Sequence, residues 1–141
     1  MTRCFESMRL AFISDIHLGH KEITTAELIA QLNESFTNST LFNKINLAVL
    51  GGDVFDRLLK TNSDEYGLII TWANRLLDLC VVHKVSLRVL EGTPSHDDKQ
   101  PKIFLDLANS LIARGLEIDF KYIDELHVEQ NARFGLNWLY I

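Results

Sequence analysis

Residues 45–56 read INLAVLGGDVFD. Ile45–Gly51 is a short, almost continuous β-prone run, the pattern of a strand covered on both faces. A glycine pair then lets the backbone turn sharply, and Asp53 follows, with Asp56 three positions on. Two other stretches share this construction. Met8–Ser14 (MRLAFIS) runs into Asp15 and His17, and Val85–Glu91 (VSLRVLE) runs into GTPSHDDKQ, which carries His96 and Asp97. Met8 is thus the first residue with a clear structural commitment, since residues 1–7 carry no period.

Helical patterns separate the three runs. Thr24 or Thr25 caps a helix to about Phe36, with Leu28, Leu32 and Phe36 on one stripe. Ser63 caps a longer one, with Asp64 and Glu65 in the favourable first turn and a stripe of Ile69, Ile70, Ala73, Leu76, Leu77, Cys80 and Val81. A third runs from Pro101 to Arg114, stops at Gly115, and has its face on Phe104, Leu107, Ala108, Leu111 and Ile112. After it, LEIDFKYI reads as another strand, and ELHVEQ and RFGLNWLYI read as a hairpin turning at Asn131. Alternating strands and helices predict an α/β layered fold with a mostly parallel central sheet flanked by helices.

A length of 141 residues predicts one domain with a real core, and 47% hydrophobic with 23% charged residues excludes a disordered tail. No apolar run approaches the ~18 residues of a membrane span, and no signal-peptide pattern opens the chain. Cys4 and Cys80 make no spaced framework, which predicts a reducing, intracellular setting, the cytoplasm. A net charge of −5 argues against a general electrostatic grip on nucleic acid, although bound cations would reverse the local sign at an acidic cluster. The sequence stops at LNWLYI, an apolar strand-like run, and so is expected to be part of a longer protein.

In α/β sheets ligands sit beyond the carboxyl ends of the strands, where all three runs deliver acidic or imidazole groups. Asp15 and His17, at alternate positions of an extended segment, would point the same way and share a cation, with Asp53 bridging to a second. Carboxylates and imidazoles without thiolates suit Mn, Fe or Zn. Taken singly, each Asp is as well explained as a turn former or helix cap, and Asp56 and Asp97 as loop hydrogen-bonders. His20, His83 and His127 read as surface or boundary histidines. The metal reading rests on the three patterns occurring together, each directly behind a strand.

DIH (Asp15–His17), GDVFD (Gly52–Asp56) and GTPSHD (Gly92–Asp97) resemble the DxH, GDxxD and GNH[DE] motifs of the calcineurin-like metallophosphoesterase superfamily. The wider strings SDIHLG and GGDVFDR are similar to those of SbcD-type nuclease subunits, and the third motif to phage recombination nucleases. The resemblance implies a metallophosphoesterase-like fold whose C-terminal half lies outside this chain. It also implies two divalent metal ions, Mn first with Mg, Fe or Zn as alternatives. Asp15 and His17 would hold the first and Asp53 would bridge both. His96 would stand at the scissile phosphate, and Asp97 would orient its ring. Ser95 occupies the place of the family's asparagine ligand, Thr93 and Pro94 lengthen the loop, and the later GHxH motif is missing. His127, the only histidine after His96, lacks a matching context.

The implied function is a metal-dependent phosphodiesterase cleaving DNA as an exonuclease beside an SMC-like ATPase subunit, with no membrane partner and a homodimer in the full-length protein. The alternatives are a small-molecule phosphodiesterase or phosphatase on the same site, and a non-catalytic interaction module with an incomplete site.

Overall fold

The computed structural model describes residues 6–141. The three apolar runs become β1 (Leu10–Ile13), β2 (Leu47–Leu50) and β3 (Ser86–Leu90), and β4 (Phe120–Ile123) is the second half of LEIDFKYI. They form one four-stranded sheet in the order β1-β2-β3-β4, every pair parallel. The strands are shorter than their apolar runs, because each ladder ends where the chain turns into a loop.

Between the strands lie α1 (Thr25–Ser35), α2 (Ser39–Phe42), α3 (Asp64–His83) and α4 (Lys102–Ala113). The cap of α1 is Thr24. Its hydroxyl accepts from the Glu27 N–H while the Glu27 carboxylate accepts from the Thr24 N–H, a reciprocal capping box. Ser63 caps α3, and Lys84 ends it in a left-handed conformation whose N–H returns to the Cys80 carbonyl. Helix α2 has no counterpart in the periodicity, since it is a single turn started by the Asn38 side chain.

Sequential strand order with right-handed crossovers places the helices on one face of the sheet. The core follows: Ala48, Leu50, Leu87 and Val89 pack under Leu32, Phe36, Ile69, Trp72, Leu76, Leu77 and Phe104. Trp72, which the α3 stripe does not include, is among the largest fully buried side chains and donates its indole N–H to Thr37. Ile112 stays half exposed, a quarter turn off the buried line of Phe104, Ala108 and Leu111 on α4.

The opposite face is treated differently. The antiparallel hairpin of β5 (His127–Asn131) and β6 (Leu136–Tyr140) lies against it at β3. There Arg88, only 2% exposed, donates to the Glu129 carboxylate at 2.6 and 2.9 Å and to Asp119 at 3.0 Å, and the Tyr140 hydroxyl donates to Glu129 at 2.9 Å. Over β1 the expectation of cover on both faces fails. Leu10 and Phe12 are 49% and 59% exposed, because among the described residues no helix crosses on that side and the hairpin sits at the far strands. Among the described residues, no helix is long and apolar enough to cross a membrane.

Candidate metal centre

The loops leaving β1, β2 and β3 meet at the carboxyl edge of the sheet. The first two are laced by backbone bonds continuing the parallel pairing: Asp15 N–H to Gly52 O and His17 N–H to Asp53 O, both 3.1 Å, then Leu18 N–H to Val54 O at 2.8 Å. Between these anchors the backbone is strained. Asp15 and His17 both have φ of 55° and Asp53 has φ of 49°, the left-handed region that costs a non-glycine residue about 1–2 kcal/mol. The segment is therefore not extended as the alternate spacing suggested. Two left-handed residues flank the buried Ile16, and they still bring both side chains to one place.

One donor atom each from Asp15, His17 and Asp53 lies within 4.8 Å of the others, with His17 Nε2 4.0 Å from Asp15 Oδ1. Two donors on one ion at about 2.1 Å are at most ~4.2 Å apart, so this group fits a divalent cation after a small inward movement. It is a carboxylate–imidazole set without thiolate, of the kind that suits Mn, Fe or Zn.

Asp56 does more than hydrogen-bond within its own loop. Its carboxylate accepts from His17 Nδ1 at 3.1 Å, and its backbone carbonyl accepts from His96 Nδ1 at 2.9 Å. A carbonyl only accepts, so His96 carries a proton on Nδ1. The carboxylate favours the same tautomer for His17, which leaves Nε2 of each ring for other partners. The two rings meet edge to face at 4.8 Å. Asp56, His17 and His96 also form a second close donor group, but hydrogen bonds already engage both Nδ1 atoms.

Asp97 does not orient the His96 ring. It is fully buried, and its two oxygens accept the backbone N–H groups of Phe55 at 2.8 Å and Gly92 at 2.7 Å. The carboxylate staples the third loop to the second, and the ring is left to Asp56. Burial pushes the Asp97 carboxyl above its ordinary value, the two N–H donors offset this in part, and the neighbouring Glu91 and Asp53 charges add to it.

Asp53 is held from the third loop. Thr93 donates its N–H at 2.7 Å and its hydroxyl at 3.0 Å to one carboxylate oxygen. Burial works to raise the Asp53 carboxyl, but these bonds, with His96 and His17 nearby, bring it below the usual range. Ser95 is exposed, and its hydroxyl reaches only the Thr93 hydroxyl, at 3.4 Å. Gly92 permits the close approach. A Cβ there would stand 2.1 Å from the Asp53 nitrogen and 2.3 Å from its Oδ1.

Among the expected residues, Asp15, His17, Asp53 and His96 therefore come together, Asp97 sits beneath them, and Ser95 stands at the rim. Asp56 and Thr93 are the residues that sequence reasoning undervalued. The second Asp of GDVFD was the available signal for one, whereas nothing in the sequence marked the other. His127 belongs to neither donor group and stacks on Tyr140. No protein-family model matches the chain, and no curated protein matches it.

Proposed function

We propose that these loops carry the metal-binding part of a phosphodiesterase site of the calcineurin-like metallophosphoesterase kind, acting on DNA in the manner of an SbcD-type exonuclease subunit. The observation that supports this most strongly is the double role of Asp56. It turns one imidazole toward Asp15 and Asp53 and holds a second beside it, each with Nε2 left for chemistry. The sequence motifs DIH, GDVFD and the His-Asp pair supply the family.

Asp15, His17 Nε2 and Asp53 would hold the first cation, with Asp53 reaching toward a second. When bound, such cations polarise the phosphoryl group and offset the charge that builds on it during in-line attack. Asp56 keeps His17 in the tautomer that offers its Nε2 lone pair. His96, with its Nδ1 proton fixed on the Asp56 carbonyl, presents Nε2 to the phosphate. As an imidazolium it donates that second proton to the leaving oxygen. Asp97 holds the loop bearing His96 against the loop bearing Asp53 and touches no substrate.

Calorimetric titration with Mn is the direct test. Binding is expected in the unmodified chain and is lost in the Asp15→Ala/Asp53→Ala double variant. A chain that binds no Mn above that variant overturns the proposal. With Mn bound, cleavage of end-labelled DNA supports the nuclease reading, and hydrolysis of a phosphomonoester without DNA cleavage moves the activity to a phosphatase. A second reading, an interaction module that binds one cation without turnover, is favoured by the exposed Ser95 and by Asp53 belonging, among the described residues, to a single close donor group, that of Asp15 and His17. A stoichiometry of one Mn together with no hydrolysis would select it. A DNA partner, an SMC-like ATPase and a homodimer follow from the resemblance, and co-purification with each is the corresponding experiment.

A further inference from the structure

A hollow of about 340 Å³ adjoins the donor group and shares Asp15 and His17 with it. The rest of its lining is Ile16, Ile23 and Leu28, with His20 and the Asp56 carboxylate, which already accepts from His17, as polar members. The close donor groups do not account for the three aliphatic residues or for His20. Ile23 keeps 40% of its surface exposed in the loop before α1, an apolar side chain left to solvent beside a cluster of charges. The volume lies at the lower end of the roughly 300–1,000 Å³ of small-ligand pockets.

His20 has a defined polarity. The Glu22 backbone N–H donates to its Nδ1 at 3.1 Å, so the neutral ring carries its proton on Nε2. That N–H has no acceptor among the described residues. The hollow thus combines flat aliphatic contact with one hydrogen-bond donor, immediately beside groups that suit a cation and a phosphate. A nucleobase has this complement: two apolar faces and, in every base, ring or carbonyl acceptors at its edge.

We propose that this hollow receives the base of the nucleotide whose phosphate faces Asp15, His17 and Asp53, through contact with Ile16, Ile23 and Leu28 and one N–H donor from His20. The inference rests on the phosphodiester reading above and deepens it. Because a paired base must leave its stack to enter such a hollow, the substrate is an unpaired or frayed terminal nucleotide. Aliphatic walls accept the face of any base, so the site selects for a base and not for its identity.

The test uses the full chain saturated with Mn, titrated calorimetrically with methyl phosphate, deoxyribose 5-phosphate and thymidine 5′-monophosphate. Thymidine monophosphate is expected to bind roughly tenfold more tightly than deoxyribose phosphate. Ile23→Ser should remove most of that advantage, and His20→Ala should reduce it. Both side chains are partly exposed, and a thermal midpoint for each variant checks its fold. Equal affinity for the three ligands, or an advantage unchanged in both variants, overturns the base pocket while leaving the phosphate site standing. Failure of methyl phosphate itself to bind the Mn-loaded chain overturns both readings together.

Discussion

Two aspartates beside the site histidines do opposite jobs. Asp56 bonds to both imidazoles, whereas Asp97, adjacent to His96 in sequence, bonds only to backbone. Their asparagine variants should therefore separate. Asp56→Asn keeps one acceptor but loses the charge that sets the His17 tautomer. Mn affinity measured by calorimetry should fall by about 10–100-fold with the thermal midpoint little changed. Asp97→Asn cannot accept from both Phe55 and Gly92, so one N–H faces an amide group. Urea unfolding should show a loss of about 1–3 kcal/mol, with Mn affinity reduced only as the loops loosen. A result in which Asp97→Asn abolishes Mn binding at unchanged stability would return Asp97 to the site. Sequence showed which residue types reach the strand ends, but hydrogen-bond partners lie about 40 positions away and carry no local signal.

At the scale of elements, the hairpin of β5 and β6 is fastened to the sheet by charge. Arg88 lies between Leu87 and Val89 in the middle of β3 and is buried with Glu129 and Tyr140, while its third partner, Asp119, is exposed. Removing one partner leaves the other's charge buried, so Arg88→Met should cost about 3–5 kcal/mol in urea unfolding. The Arg88→Met/Glu129→Met double variant should recover most of it. The same network sets an acid limit. Arg88 hydrogen bonds pull the Glu129 carboxyl from 4.5 to about 2, against the upward push of burial. A depressed carboxyl stabilises the fold fully above its unfolded value. Stability on the order of 2–3 kcal/mol should be present at pH 5 and drain away as pH falls from 4.5 towards 2. An acid unfolding curve unaltered by Glu129→Gln would contradict this. The hairpin itself was legible from turn chemistry and alternation, but its attachment was not, because Arg88 and Glu129 are partners only across the sheet.

For the molecule as a whole, the donors Asp15, His17 and Asp53 leave β1 and β2, so a cation there ties together two strand ends from residue 15 to residue 53. Binding to the native state alone stabilises by mass action. Mn at about 100 times its Kd should raise unfolding stability by ~2.7 kcal/mol, visible as a higher thermal midpoint that EDTA reverses. The Asp15→Ala/Asp53→Ala double variant should show no such rise.

Sequence alone determined the α/β class, the strand–helix alternation and the delivery of Asp15, His17, Asp53 and His96 to strand ends. Hydrophobic period and turn residues are local properties, and a parallel sheet then places all strand ends on one edge. Tertiary structure decided which aspartate meets which ring, that Thr93 holds Asp53, that Asp15, His17 and Asp53 are left-handed and strained, and that one face of β1 stays open. These depend on the meeting of loops distant in sequence, and on the side of the sheet that each crossover takes, neither of which is written in any single stretch of the chain.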